Sequence, residues 1–329
     1  MYPFINEKQP IIVATDHGYG NIKTSHFCFK SGVTAYDTEP PFQSNLLIYH
    51  DHLYIIGEDR MEFSADKTWN DDYCQGIPSA RPIASLLGPQ SYILTLAAIA
   101  MELDYRNLRT ATVQLAVGLP LTWVGQQKVA FKAYLLQNES VDFTFRGTTY
   151  HVEFSGADVF PQGFAAVADH LKDFSGVNML CDIGSGTMNI MYINSAKPIS
   201  SKCFTEKYGT QQCMIAVREQ LLRQFGTTVE DDVIEEVLRT GTADIGQKYL
   251  DAITATAAEY VSGIMRRLRE HEYNPELMKL YVMGGGSCLI KNFGTYDPER
   301  VTINEDICAT AKGYETLARL RLKQNGGIV

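Results

Sequence analysis

The most informative stretch of the chain is IIVATDHGYGNIK, residues 11–23, in which an apolar run ends at Asp16 and enters a glycine-rich turn. The same local pattern, Asp-x-Gly-x-Gly, returns in NMLCDIGSGT, residues 178–187, where the aspartate is Asp182. Glycines let backbone N–H groups approach phosphate oxygens and point at them. A carboxylate beside each loop can hold the magnesium ion that accompanies phosphates. Two such loops facing each other predict a clamp for a nucleoside triphosphate.

A third run, LYVMGGGS at residues 280–287, again has the composition of a buried strand that meets glycines. A single glycine-rich turn after a strand is structural in most proteins. The repetition of the pattern in both halves of the chain, followed by this third run, favours a ligand-binding role over a purely structural one.

Two common nucleotide-binding motifs are excluded. The chain has no G-x-x-x-x-G-K-[ST] and therefore no P-loop. GYGNIK begins like a dinucleotide fingerprint, but Lys23 stands in the place of the third glycine. The residues after the two turns, Asn21–Phe29 and Met188–Ile193, have the composition of strands, whereas a dinucleotide fold requires a helix there. Both turns are therefore predicted to be hairpin tips.

Composition limits the function further. A chain of 329 residues can form two domains, and its net charge of −9 disfavours a direct nucleic-acid surface. The one basic cluster, RRLR at residues 266–269, is interpreted as the solvated face of a helix.

The longest apolar stretch, Ile93–Met101, is too short to span a bilayer, and residues 1–8 lack a signal-peptide pattern. We therefore expect a cytoplasmic protein without membrane contact. The seven cysteines, without C-x-x-C spacing, predict reduced thiols rather than a zinc site.

Strands alternate with helices in both halves, which predicts an α/β protein of duplicated domains around a central cleft, where ligands usually bind. Domain I is predicted at residues 1–163, with a small subdomain at about 36–88 that includes a loop from Lys67 to Gly88. Domain II is predicted at 164–329, with a small subdomain at about 210–275 and a C-terminal helix at about 304–322 that packs back on domain I.

Several local elements follow from turn and cap signals. The pair His50 and His52 is interpreted as a polar hairpin tip rather than a metal site. Thr228 is predicted to open a helix through a capping box. The other predicted elements are a helix starting at Pro89, helices at 122–137, 164–171 and 209–225, a helical stripe from Leu250 to Leu268, and a hairpin of strands 141–145 and 149–154.

With these motifs in place, the chain resembles the actin/Hsp70/hexokinase superfamily. Residues 16–23 are similar to its first phosphate motif, 182–187 to its second, 280–287 to its adenosine motif, and FPQG at 160–163 to its connecting segment. The resemblance implies an actin-like, ribonuclease H-like fold of duplicated domains around a central nucleotide cleft. Within the superfamily the chain most resembles the bacterial ParM/StbA-type actins, which segregate low-copy plasmids, because its length is near that of the bare fold and GLPLT at 118–122 is similar to a segment of those proteins.

The resemblance also implies a role for each motif residue. Asp16 and Asp182 would hold Mg²⁺, largely through water, although each can instead cap its own turn. Lys23 would reach the β- and γ-phosphates, with a solvated strand lysine as the alternative. Gln162 would position the attacking water, or it merely bonds the backbone at the domain junction. The remaining nucleotide contacts implied are Gly18, Tyr19, Gly20, Asn21, Gly184, Ser185, Gly186, Thr187, Gly209, Gly284, Gly285 and Gly286. His17, unusual in the first loop, is expected to make packing or water contacts rather than touch phosphate.

The implied function is hydrolysis of ATP, or of GTP, coupled to assembly of a head-to-tail filament of the chain itself. The filament would move plasmid DNA through a basic DNA-binding adaptor protein. One alternative is a small-molecule kinase of the same superfamily, which needs an aspartate base that the sequence does not offer in a Gly-Asn-Asp context. The other is a non-enzymatic scaffold that binds nucleotide with negligible turnover.

Overall fold

The chain forms two compact units, of which the first is discontinuous. The first unit extends to Asp169 and resumes at Thr310, whereas the second is the continuous segment His170–Ala309. The first glycine-rich loop and the C-terminal helix thus belong to the same unit. The computed structural model describes residues 9–40, 44–57, 83–119, 121–174 and 176–324, and much of the predicted loop at 67–88 lies outside them.

The first unit is built on a sheet of nine strands within the described residues. They are β1 Ile11–His17, β2 Asn21–Lys23, β3 Cys28–Lys30, β4 Val33–Tyr36, β5 Leu46–Tyr49, β6 His52–Ile56, β7 Thr110–Leu119, β8 Ser140–Phe145 and β9 Thr148–Pro161. Their order in the sheet is β3-β2-β1-β7-β9-β8-β5-β6-β4. Strands β1, β7 and β9 are parallel neighbours. Their apolar runs are buried because a parallel sheet is covered on both faces.

The second unit contains a five-stranded sheet in its described part. The strands are β10 Val177–Ile183, β11 Met188–Asn194, β12 Lys197–Glu206, β13 Lys279–Met283 and β14 Val301–Ile303, in the order β12-β11-β10-β13-β14. β10 pairs antiparallel with β11 and parallel with β13. In the first unit, β1 likewise pairs antiparallel with β2 and parallel with β7. This arrangement confirms that both Asp-x-Gly-x-Gly turns are hairpin tips.

Helices alternate with these strands, which confirms the α/β fold class. Those described are α1 Ile83–Tyr105, α2 Leu121–Leu135, α3 Thr210–Phe225, α4 Asp231–Thr240, α5 Gln247–Glu270, α6 Ser287–Phe293 and α7 Ala309–Gln324, with a 3-10 helix at Phe164–Asp173. None of these helices combines the length and the apolar character that crossing a bilayer requires.

Periodicity predicted the buried face of α5 correctly. Leu250, the first residue of its predicted stripe, is partly buried. The other five are fully buried: Ile253, Ala257, Val261, Ile264 and Leu268. Helix α7 packs differently, since its Ala311 and Ala318 lie in a small core with Ala14 of β1 and Ala116 of β7. Small side chains on both sides allow the helix to approach the sheet closely.

Three predicted helix starts are wrong. α1 begins at Ile83 rather than at Pro89, so Pro89 lies inside the helix and not in its first turn. α4 follows Glu230, which makes no side-chain cap, so Thr228 does not open it. The last helix begins at Ala309 rather than at Asn304, since the Asn304 and Asp306 side chains accept bonds from Asp306 N and Cys308 N in a turn.

The connecting region also differs from its prediction. Strand β9 continues past Phe154 to Pro161, whereas the helix predicted after it is present as a 3-10 helix, Phe164–Asp173. The predicted strand ended at Phe154. In the fold, β9 instead passes an irregularity opposite Gln114 and resumes pairing with β7 as far as Leu119. The hairpin at His50 and His52 has the predicted polar tip, with both His50 and Asp51 at positive φ.

Candidate functional site

The first loop brings an aspartate and a lysine together across its hairpin. Asp16 and Lys23 are register partners in the β1–β2 pair. The Lys23 Nζ lies 3.1 Å from Asp16 Oδ2, and the aspartate is buried. The turn itself is closed by a bond from Gly18 N to Asp16 O at 3.1 Å. Lys23 is therefore not simply a solvated strand lysine, since its ammonium group is held at the end of the buried strand.

Gln162 joins this pair from the end of β9. Its backbone N–H donates to Leu119 O at 2.8 Å, which continues the β7–β9 pairing by one more bond. Its side-chain Nε2 points at Asp16 Oδ1, at 3.5 Å. The first unit thus gathers a carboxylate, an ammonium group and an amide, and the backbone bond alone does not account for the position of the Gln162 side chain.

The second loop is fixed by the start of helix α3. The turn closes through Gly184 N to Thr187 O at 2.8 Å. The loop then accepts the first helical N–H groups, from Thr210 N to Gly184 O at 3.0 Å and from Gln211 N to Ser185 O at 2.9 Å. These N–H groups have no partner within their own helix, so the loop supplies one. Gly209, directly before the helix, is buried against Ser185.

The third glycine run lies against the Asp182 loop. Gly284 has φ +82°, and a Cβ there would meet Asp182 Oδ1 at 2.4 Å, so glycine is required by both backbone shape and space. Gly286 N donates to Ile183 O at 2.9 Å. A Cβ on Gly285 would meet no atom of the described residues within 4 Å. The second unit thus brings Asp182, the second loop, Gly209 and the third run together, with open space above Gly285.

A stack of side chains beside Gly209 was missed by sequence reasoning. The Tyr208 and Tyr260 rings lie parallel, with centroids 4.2 Å apart and planes 4° apart, and the Arg267 guanidinium lies 3.8 Å from the Tyr208 centroid. Tyr260 Oη donates to Gly209 O at 2.7 Å. The prediction that Arg267 belongs to a solvated helix face is therefore wrong, because its guanidinium packs on the Tyr208 ring. Its pairing with Tyr208 is a long-range contact, and the only sequence signal was that Tyr208 precedes Gly209.

Two family models match this chain, one in each half. The model described as "Actin like proteins N terminal domain" matches residues 14–164, and the model described as "Archaeal actin homologue MreB-like, C-terminal" matches residues 180–293. The chain belongs to the actin-like superfamily. The resemblance expected from the sequence motifs is thereby confirmed, and both matched regions contain one of the two hairpin loops.

Solved structures of actin-like proteins share the fold of this family member. The archaeal actin homolog Ta0583 in complex with ADP is 19% identical, with 94% of this chain and 99% of that chain covered and a TM-score of 0.67. Bacillus thuringiensis ParM with ATP is 12% identical, with 96% and 100% covered and a TM-score of 0.68. A 15-stranded ParM filament from Clostridium botulinum is 16% identical, with 95% and 99% covered and a TM-score of 0.63. Curated protein sequences give no match to the chain.

The acidic residues of this actin-like chain suit a magnesium ion that is shared with phosphates. Among the described residues, no three His, Cys, Asp or Glu side chains come together as a metal cage. Mg²⁺ does not need such a cage, because it keeps several waters and usually takes one or two carboxylates plus substrate phosphates. The first unit has one such carboxylate at its hairpin loop, Asp16, and the second unit has one at its own, Asp182.

His17 in this actin-like fold is a packing residue, as the sequence predicted. Its Nε2 lies 2.8 Å from Thr95 Oγ1, and Thr95 donates its own hydroxyl proton to Ser91 O. His17 must therefore donate through Nε2–H. The ring packs edge-on against Phe131 at 6.0 Å. Burial lowers the pKa of His17 to about 4 even though Asp16 acts to raise it. The imidazole is neutral near pH 7 and brings no positive charge to the loop.

A buried carboxylate anchors the loop that follows Lys23. Glu102 of α1 is 1% exposed and accepts bonds from His26 N at 3.2 Å and from His26 Nδ1 at 2.9 Å, and it pairs with Arg106. Burial by itself would raise the pKa of Glu102. Hydrogen bonds from Thr24, Arg106 and His26 outweigh burial and hold the pKa below its ordinary value of 4.5. The ionised carboxylate therefore stabilises the loop.

We expect Glu102→Gln to lower the free energy of unfolding by about 1–3 kcal/mol at pH 7, because the loop and Arg106 lose a charged partner. The folded pKa is lowered, so this stabilisation is present above pH 4.5 and is lost as the pH falls through the folded value. Urea unfolding should show that the difference between the variant and the wild type narrows as the pH falls below 4.5. Asp104→Asn, which removes an exposed carboxylate of the same helix and its ion pair with Arg109, should change stability by less than about 0.5 kcal/mol. A constant difference across the pH range would contradict the assigned role of the carboxylate.

Proposed function

We propose that this actin-like protein is a filament-forming ATPase, for which ATP is the preferred nucleotide and GTP the second candidate. The observation that carries the proposal is the cluster of Asp16, Lys23 and Gln162 at the first hairpin, together with a second hairpin of the same pattern at Asp182. A carboxylate, a cation and a neutral amide at a glycine-rich turn are the groups that phosphate transfer to water requires.

In this proposal the triphosphate engages both loops. Lys23 leaves Asp16 and pairs with the β- and γ-phosphates as a point charge. Backbone N–H groups of the two loops, Tyr19 and Asn21 included, donate to the phosphate oxygens, with the Thr187 hydroxyl as a further donor. The open space above Gly285 accommodates the ribose and the α-phosphate, and Gly209 borders the adenosine.

Asp16 and Asp182 would hold Mg²⁺ mainly through its water shell. The ion, when bound, neutralises part of the negative charge on the phosphates. With Lys23 on the phosphates, the carboxylate oxygens of Asp16 would be available to accept hydrogen bonds from water. The Gln162 amide, 3.5 Å from Asp16, then lies close enough to the same carboxylate to act on a neighbouring water.

Gln162 would orient the water that attacks the γ-phosphorus. The new P–O bond forms as the bond to the bridging β–γ oxygen breaks, so ADP leaves and inorganic phosphate and a proton are released. A neutral amide is a poor base, but phosphoryl transfer through a loose transition state depends mainly on placement and charge neutralisation. A kinase would instead need a carboxylate base at this position to activate a substrate hydroxyl.

The proposed function includes filament formation and the segregation of plasmid DNA. Solved relatives include the Alp12 filament and the Clostridium botulinum ParM filament. Open filaments require heterologous, head-to-tail contacts. The net charge of −9 disfavours direct DNA binding, so a basic adaptor protein would connect the filament to plasmid DNA.

We expect the purified protein to assemble when ATP and Mg²⁺ are added and to disassemble as ATP is consumed. A lattice contact that is about 1.4 kcal/mol stronger in the triphosphate state lowers the critical concentration roughly tenfold. Light scattering, sedimentation and electron microscopy at micromolar protein would measure assembly, with GTP and ADP in parallel. A chain that stays monomeric but releases phosphate only with an added acceptor would indicate a kinase. Nucleotide binding without turnover or assembly would indicate a scaffold.

A further inference from the structure

Helix α7 packs on the residues that flank Gln162 on both sides. Before Gln162 in the chain, Phe160 stacks on Tyr314, with ring centroids 6.1 Å apart and planes 15° apart. After it, the Ala165 carbonyl lies directly against Gly313, where a Cβ would come within 1.9 Å of the oxygen. Both contacts lie within the first unit, and the short segment between them contains Gln162.

Tyr314 also fixes the strand that neighbours this segment. The tyrosine is fully buried, and its Oη fills the space beside Gly118, where a Cβ would lie 1.8 Å away. Gly118 is the register partner of Phe160, and the next residue, Leu119, accepts the Gln162 backbone N–H. One phenol ring therefore contacts both strands at the point from which Gln162 extends.

The adjacent residue, Glu315, connects α7 to the loop that follows Lys23. Its carboxylate accepts a hydrogen bond from Ser25 Oγ and pairs with Arg319. Both Glu315 and Ser25 are buried, at 9% and 7% exposure. A buried carboxylate is retained at low cost only when it is paired and hydrogen-bonded, as this one is. α7 thus contacts the loop directly after Lys23 as well as the Gln162 segment.

We propose that Gly313, Tyr314 and Glu315 are positioning residues that set the separation between Gln162 and the Asp16–Lys23 pair. The inference rests on the proposed ATPase function. Gln162 and Asp16 belong to different chain segments. Their side chains are joined by one long, weak contact, from Gln162 Nε2 to Asp16 Oδ1 at 3.5 Å. The consecutive residues of α7 contact both segments through buried groups. A small displacement of the helix would therefore move the amide relative to the carboxylate.

The decisive variant is Gly313→Ala, with Gly125→Ala as a matched control. Both glycines lie within helices of the first unit, but a Cβ on Gly125 meets no described atom within 4 Å, whereas one on Gly313 displaces Ala165. We expect Gly313→Ala to lower kcat for ATP hydrolysis at least about tenfold, because small misplacements of a water-orienting group are costly. The Kd for a non-hydrolysable ATP analogue should stay within about twofold, and Gly125→Ala should behave as wild type.

Tyr314→Leu and Tyr314→Phe keep the test informative if Gly313→Ala does not fold. The leucine variant loses the ring stack on Phe160 and should lose kcat, while the phenylalanine variant keeps the stack and should recover most of it. Hydrogen exchange supplies a readout that does not depend on turnover. The backbone N–H of Gln162 should exchange faster in Gly313→Ala and Tyr314→Leu than in the wild type, while the backbone N–H groups of β8 and β5 stay protected.

The outcomes separate the two proposals. If the wild type binds ATP without hydrolysing it, the proposed ATPase function is wrong. Hydrogen exchange at the backbone N–H of Gln162 then tests alone whether α7 positions this residue. Folded Gly313→Ala and Tyr314→Leu proteins with wild-type kcat, or with unchanged exchange at Gln162, would show that α7 contributes only to the core. A parallel loss of stability and ATP affinity, without a selective loss of kcat, would overturn the positioning role as well.

Discussion

Gln162→Ala is expected to bind ATP as the wild type does and to release phosphate about 10²–10⁴ times more slowly. The reason is that its amide, 3.5 Å from Asp16, is placed to orient a water beside the phosphates and contributes little to ground-state binding. Phosphate release should be measured at saturating ATP on assembled protein, and affinity by calorimetry with a non-hydrolysable analogue.

The same variant provides a control on assembly. If hydrolysis weakens the filament, filaments of Gln162→Ala should persist longer than those of the wild type after a single addition of ATP. Gln126→Ala, at an exposed glutamine of α2 in the same unit, should leave both phosphate release and filament lifetime unchanged. Wild-type phosphate release from assembled Gln162→Ala would mean that the glutamine is structural.

The second large effect is expected at the two hairpin aspartates. Asp16→Asn and Asp182→Asn should each weaken nucleotide affinity about 10–100-fold in the presence of Mg²⁺, as is typical when a group that orients a metal through water is replaced. Asparagine keeps the shape of the side chain, so Asp182→Asn should still fit beside Gly284.

Magnesium dependence identifies the cause of the loss. In EDTA, wild type and Asp182→Asn should bind ADP with similar affinity, because the missing charge then has no ion to hold. Asp142→Asn, at an exposed position that pairs with His151, is the control for a lost carboxylate elsewhere in the chain. Wild-type affinity of both Asp16→Asn and Asp182→Asn in Mg²⁺ would rule out the clamp formed by the two loops.

Local sequence patterns were sufficient for the hairpin loops and for the face of α5. An apolar run that ends in Asp-x-Gly-x-Gly contains both the strand and its turn, so β1 and β10 could be predicted from short stretches of sequence. The buried face of α5 was recognised from apolar residues that recur with a period of about 3.6 residues. The contact between Asp16 and Lys23 is also local, because the two residues pair across a two-stranded hairpin, but the sequence analysis did not predict it.

Features that depend on distant parts of the chain could not be predicted in the same way. Tyr208 and Arg267 meet only because α5 packs beside the start of α3, and Tyr314 fills the space beside Gly118 only because α7 returns to the first sheet. Neither pair has a sequence spacing that marks it.

The discontinuity of the first unit has a consequence for how the chain acquires its structure during synthesis. The ribosome completes the whole of the second unit, His170–Ala309, before it makes the segment that supplies Tyr314. A nascent chain therefore has to hold β1, β7 and β9 with one face of the core uncovered until that last segment emerges. Folding of the inserted unit shortens the effective distance that the last segment must close, which lowers the entropic cost of its docking.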